Sequence, residues 1–277
     1  AAAAILPNVM PPSIALLLAA TATDLSVASL WLSGAGAAVV LAAGLVVAVR
    51  LVPPPGVAAT KDLVRSDPIP RPAHAEDGWK ILRPLVPLVL AAIAILSAMR
   101  LGVVTAVEAG LLAFVLAAIA AWRRNGATAV WSAIAESALN TGRILLLVAA
   151  AAPVAFLIAV EAPPPSAWLP DGGPILVFGA AIALALLLGT FLDAGAAILL
   201  TLPVLVPPLA VAGVDPVHAA LTLTIALLIG GLTPPVGVLI LVVKDVTGAT
   251  GVYRAAVPFL GGLVAALALV ALVPLLA

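Results

Sequence analysis

Residues 226–239 read ALLIGGLTPPVGVL, and the centre of that run, Gly230–Gly237 (GGLTPPVG), sets two adjacent prolines, three glycines and a threonine inside a hydrocarbon-like stretch. A proline within a helix removes a backbone donor and clashes with the carbonyl one turn back, at a cost of roughly 3 kcal/mol or more. Two in succession end a helix. In lipid each freed backbone group costs several kcal/mol, so irregular backbone at membrane depth persists only where protein or a water-filled cavity satisfies it. The segment therefore reads in one of two ways. It is a proline kink satisfied by neighbouring helices, or a buried turn near the midplane whose carbonyls and Thr233 hydroxyl are open to a guest.

The rest of the chain supports membrane depth. Of 277 residues, 65% are hydrophobic and 9% charged, against roughly 45–50% apolar usage in soluble domains. Mean hydropathy is +1.32. Twelve Lys and Arg balance twelve Asp and Glu, so no basic field or cluster draws nucleic acid. The chain has no cysteine, which excludes disulfides and thiolate chemistry. Its two histidines, His74 and His218, have no ligand-spaced partners. No HExxH, Walker lysine or GxSxG motif is present, so neither an enzyme nor an ATP-driven pump is expected from this chain.

A spanning helix needs about 20 mostly apolar residues, and a much shorter one reads as re-entrant or as half of a broken helix. By that rule Ile14–Ala22, which follows Pro11-Pro12, is the second half of a discontinuous element, and Leu30–Val52 is a full span. Pro53–Lys80 is a solvated, proline-rich loop. Ile81–Met99 and Thr105–Trp122 form an antiparallel pair, and Glu108 complements the dipole at the start of its helix. The stretch from Arg123 to Thr141 mixes charge and tryptophan with apolar positions and suits an interface. Arg143–Val160 is either a transmembrane helix kinked at Pro153 or one limb of a re-entrant hairpin. The runs Ile175–Leu209 and Val217–Val246 are both broken at their centres, and Ala255–Leu276 closes the chain as a span. Arg50, Lys61, Arg65, Arg71, Lys80 and Arg83 fall on the same side as Arg123 and Arg124, which the positive-inside rule makes cytoplasmic. The opening residues, AAAAILPNVMPP, carry no basic n-region. They read as the middle of an element rather than a signal peptide.

Three features carry the candidate site. GTFLDAGA, Gly189–Ala196, places Asp193 in the middle of an apolar stretch, four residues after Gly189 and two before Gly195. Intramembrane carboxylates are costly and by default functional, and Asp193 also suits the N-cap of the next helix. GGLTPPVG supplies Gly230, Thr233, Pro234 and Gly237. An echo of it, NVMPPSIALLLAA at Asn8–Ala20 against GLTPPVGVLILVV at Gly231–Val243, is the kind of trace that duplicated transporter halves leave. Asn140 and Thr141, with Ser137, either line a cavity or decorate a solvated helix.

The run GTFLDAGAAILLTLPVLVPPLAVAGVDPVHAALTLTIALLIGGLTPPVGVLILV resembles the large membrane subunit of tripartite ATP-independent periplasmic (TRAP) transporters, DctM-like. In that family a G-x-F-L-D element, an I-L-x-x-P-x-x-x-P run, a G-[IV]-D-P-x-H turn and an I-G-x-x-T-P-P-x-G element follow one another at this spacing. PPSIALLLAATATDLSVASLWLSGAGA and LGVVTAVEAGLLA resemble its P-P-S and G-x-x-T-x-x-E-A elements. The family usually has Asn where this chain has Ala226, and its first half is not seen here.

The resemblance implies an all-α, multi-pass protein of the bacterial inner membrane, an elevator-type transporter with discontinuous helices and re-entrant hairpins. It implies sodium-coupled uptake of a small organic acid such as a C4-dicarboxylate, and no cofactor other than sodium as coupling ion. A small membrane subunit and an extracytoplasmic solute-binding protein are the implied partners. Gly189, Thr190, Asp193, Gly230, Thr233, Pro234 and Gly237 would form cation and substrate sites, with Ser13 at the matching earlier break and sodium held by Asp193 and Thr233. Residues 1–52 would end the first inverted-repeat half, 53–80 form a polar loop, 81–127 a scaffold pair, and 128–277 the second-half transport region. Two rivals stand beside this reading: a sodium:anion symporter without a binding protein, and a non-transporting membrane scaffold.

Overall fold

The computed structural model describes residues 2–51, 86–161, 173–247 and 252–273. The polar loop expected at Pro53–Lys80 lies outside them, as do residues 162–172. All described elements are helices. After a 3-10 turn at Ala2–Ile5 come α1 (Leu6–Val9), α2 (Ile14–Thr23) and α3 (Val27–Leu51). Next are α4 (Val86–Arg100), α5 (Ala106–Glu161), α6 (Pro174–Phe191) and α7 (Ala194–Val211). The chain ends with α8 (Pro216–Gly230), α9 (Val238–Thr247) and α10 (Val252–Leu272).

Five of the described helices are long and apolar enough to cross a membrane, and Ala2–Val9 with Ile14–Thr23 adds a pair bent by 55°. This is an all-α, multi-pass membrane architecture. The bend falls at Pro11-Pro12, where the sequence places a discontinuity, and α8 stops at Gly230, before the second double proline. In both breaks the Pro–Pro peptide is cis.

Between Ala106 and Glu161 the backbone departs from helical geometry at Gly126 only (φ 80°, ψ 175°). Arg143–Val160 therefore continues the helix that begins after Gly126, with Pro153 inside it. A kinked transmembrane helix and the limb of a re-entrant hairpin both contain such a helix, and residues 162–172, where a hairpin would turn, lie outside the described residues. Trp122 and Trp131 on α5 are exposed. At the start of α5 the backbone amide and hydroxyl of Thr105 donate to Glu108 Oε2, at 2.7 and 2.9 Å. The Glu108 amide donates to Thr105 Oγ1 in return. The Thr-x-x-Glu pattern thus forms a capping box, a more specific role than the dipole complement read from sequence.

The core is built around α8, in which every residue from His218 to Gly230 is buried. A helix apolar all round its circumference must be surrounded; α8 packs on α6, α7, α10, α2 and α3. Its start is capped by Asp215, whose Oδ1 accepts from the His218 amide at 2.9 Å. Behind it α3 and α10 cross closely: a Cβ on Gly44 would lie 2.7 Å from the Gly262 carbonyl oxygen, and one on Gly262 equally close to that of Gly44. Ala48 and Ala266 flank the contact, the small-xxx-small arrangement that lets membrane helices approach backbone to backbone.

Candidate functional site: two broken elements brought together

The first component is the connection between α6 and α7. α6 ends at Phe191 because Leu192 is extended (φ −99°, ψ 148°), and Asp193 then caps α7 by accepting from the Gly195 amide at 3.0 Å. The capping reading of Asp193 is thus observed, and its carboxylate is exposed. Two 18-residue helices result, each about 27 Å long at 1.5 Å per residue.

The second component is the interruption between α8 and α9. The chain folds back in tight turns: the Thr233 amide donates to the Gly230 carbonyl at 2.7 Å, and the Leu239 amide to that of Gly231 at 3.0 Å. Thr233 Oγ1 donates to the Ile229 carbonyl at 3.0 Å. Gly237 adopts the left-handed conformation (φ 56°) that turns the chain into α9, which a side chain would oppose. Pro234 and Pro235 are exposed, Thr233 half-buried and Gly237 buried. The carbonyls of Leu232, Thr233, Pro234 and Pro235 accept no hydrogen bond among the described residues.

These components, some forty residues apart in the chain, touch through backbone. A Cβ on Gly189 would lie 2.2 Å from the Leu227 carbonyl oxygen, and one on Gly230 would lie 2.4 Å from that of Leu186 and 2.8 Å from Gly189 Cα. Only glycine at both positions permits that approach. One turn on, the Gly237 amide donates to the Thr190 carbonyl at 3.2 Å, so the end of α6 supplies a partner for the broken backbone of the other element. The Thr190 hydroxyl is buried and donates to the Leu187 carbonyl at 2.7 Å.

The structure thus joins Gly189, Thr190, Gly230 and Gly237 directly, with Thr233 and Pro234 in the same loop and Asp193 three residues beyond Thr190. Ser13 lies in the other break, where it caps α2: its Oγ accepts from the Leu16 amide at 3.1 Å and donates to the Asn8 carbonyl. Asn140 and Thr141 are exposed on α5. Asn140 accepts from Arg143 at 3.2 Å and Thr141 donates to the Ser137 carbonyl at 2.8 Å, bonds that stay within their own helix. Among the described residues no cluster of three or more His, Cys, Asp or Glu side chains is placed to hold a metal ion. A cation here would be met mainly by neutral oxygens. One residue of this site had no signal in the sequence: Tyr253, at the start of α10, whose hydroxyl donates to the Val236 carbonyl.

A buried core helix, two interrupted elements meeting at their breaks and a surround of apolar spans define a membrane protein built like a secondary transporter. The family model of the tripartite ATP-independent periplasmic transporter DctM component matches residues 1–276, and the chain belongs to that family. It is 29% identical over 274 residues to the C4-dicarboxylate TRAP transporter large permease protein of Pseudomonas aeruginosa, which covers 96% of this chain and 62% of that protein. It is 26% identical over 259 residues to the 2,3-diketo-L-gulonate TRAP transporter large permease protein of Escherichia coli, covering 89% of this chain and 57% of that one. A 94-residue match to the sialic acid TRAP transporter large permease protein of Vibrio cholerae is 43% identical, over 33% of this chain and 22% of the relative. The chain spans about three fifths of the length of the first two relatives. These relatives are membrane permeases rather than enzymes, and membership makes this a multi-pass inner-membrane protein.

Proposed function

We propose that this chain forms the ion- and substrate-binding part of a TRAP-type large permease, which takes up a small organic acid in symport with sodium. The observation that carries the reading is the meeting of Gly189–Thr190 with Gly230–Gly237, a loop that holds the half-buried Thr233 and four carbonyls with no hydrogen-bond partner among the described residues, with the exposed Asp193 three residues beyond Thr190. Hard cations take oxygen ligands, and broken helices present carbonyl oxygens to cations and amide ends to anions. In this scheme Asp193 supplies the negative charge, and Thr233 with the loop carbonyls supplies neutral oxygens. Sodium then orders the loop, and the start of α9 receives the substrate carboxylate.

The relatives are named for C4-dicarboxylate, 2,3-diketo-L-gulonate and sialic acid, which supports an organic acid as the substrate class. A small membrane subunit and an extracytoplasmic solute-binding protein complete the transporter, and no cofactor beyond the coupling sodium is needed.

The test is uptake into proteoliposomes by the full-length protein with its partner subunits, across a panel of carboxylates, in sodium against choline chloride. Asp193→Asn is the informative variant because Asn also caps helices well: it removes charge and keeps the cap. The expected result is sodium-dependent uptake lost in Asp193→Asn at unchanged Tm. Uptake that ignores sodium, or that survives Asp193→Asn at the same half-saturation, would overturn the assignment.

A further inference from the structure

The two breaks share a contact that their sequences do not announce. In the first, Ser13 follows directly on Pro12, and its carbonyl accepts the Trp31 indole N–H at 3.3 Å from 18 residues away. In the second, Val236 follows directly on Pro235, and its carbonyl accepts the Tyr253 hydroxyl from 17 residues away. The acceptors are the same position of the echoed motif. Both donors are aromatic side chains in the first turns of the next long helix, α3 in one case and α10 in the other.

Neither contact is incidental packing. Trp31 is buried, and the Tyr253 ring lies under Gly237, where a Cβ would approach its Cε1 to 3.5 Å. The helices that carry the donors are the pair that cross at Gly44 and Gly262. Each break is therefore tied to its own span, and the two spans lean on one another.

We infer that Trp31 and Tyr253 are repeat-related positioning residues, aromatic latches that fix the carbonyl after each double proline to the first turns of α3 and α10, the two helices that cross at Gly44 and Gly262. The latch at Tyr253 fixes the loop carrying Thr233 and the unpartnered carbonyls. On the proposed function, which this consequence rests on, it sets how well that loop fits sodium. The Val236 carbonyl gives one of its two lone pairs to the latch and so orients the loop while its neighbours bind.

Hydrogen exchange read by mass spectrometry on the full-length protein tests the latches without reference to transport. Tyr253→Phe keeps the ring and removes the donor. Exchange in a peptide covering residues 231–241 is expected to rise about fivefold, the factor for one hydrogen bond's net contribution, with a peptide covering 10–17 unchanged. Trp31→Phe should do the reverse. Tyr253→Trp, which restores an aromatic donor, should return at least part of the protection.

A second readout is the half-saturating sodium concentration for raising Tm, with choline chloride as control. Tyr253→Phe should raise it about threefold or more, with Tm in choline held within a degree or so. Unchanged exchange in residues 231–241 of Tyr253→Phe overturns the latch. Accelerated exchange in a protein whose Tm ignores sodium leaves the latch standing and sinks the sodium assignment instead.

Discussion

The two double-proline breaks begin from the same local chemistry and end as different structures. At the first, Ser13 is buried, and its side chain caps α2 and bonds back to Asn8. At the second, the equivalent position is Val236, which has no polar side chain, and α9 starts from a left-handed Gly237 instead. The Leu239 amide is met by the Gly231 carbonyl, and no side chain caps the helix among the described residues. At both breaks the carbonyls of the two prolines and of the two residues before them accept no hydrogen bond among the described residues; what one hydroxyl separates is a helix start with a side-chain cap from one without. A motif repeated in sequence need not be repeated in structure, because the residue after the prolines decides whether the next helix is capped by a side chain.

The largest expected effect is at the contact that holds the second break in place. Gly230→Ala or Gly189→Ala drives a methyl into a backbone carbonyl that cannot rotate away, an overpacking cost of about 1–3 kcal/mol or more. Thermal unfolding of the purified full-length protein should show a Tm well below the parent, with uptake abolished. A near-parental Tm for both would mean the two elements do not touch as described.

Gly237→Ala comes next. It forces a side chain into a left-handed residue (φ 56°), at roughly 1–2 kcal/mol, and should reduce both stability and uptake. Ser13→Ala removes an N-cap, a loss of about 1 kcal/mol, and is expected to lower Tm while leaving the half-saturating sodium concentration alone. Thr233→Val should show the opposite pattern, near-parental Tm with uptake reduced at least tenfold. If Ser13→Ala and Thr233→Val behave alike, the contrast between a structural and a functional break fails. The smallest effect is predicted at Asn140→Ala and Thr141→Val, on the exposed face of α5, where uptake should stay within about twofold of the parent, as is usual for surface changes.

Much of the architecture was legible because prolines and glycines punctuate an otherwise uniform apolar chain. Pro11-Pro12 and Pro234-Pro235 mark real interruptions, and Asp193 starts the helix its position suggested. Arg143–Val160 was harder to read: Pro153 marks a break in the sequence, yet the backbone stays helical through it. The capping box at Thr105 and Glu108 was present as Thr-x-x-Glu and would have been found by looking for that pair. Tyr253 and Trp31 offered no comparable signal. An aromatic at the head of a membrane span is ordinary at an interface, and what its polar atom meets depends on a loop about eighteen residues away.

By itself, the sequence of this DctM-family chain determined where helices run and where they stop, since periodicity, proline and glycine act on the backbone within a few residues. It also set the expectation that the stops lie at membrane depth, because length and hydropathy set that scale. Only the tertiary structure decided that Gly189 faces Gly230, that Thr190 completes a loop some forty residues further on, and that each break is met by an aromatic donor from a later helix. Those outcomes depend on which surfaces α8 gathers around it, and packing between distant segments is not encoded at any single position.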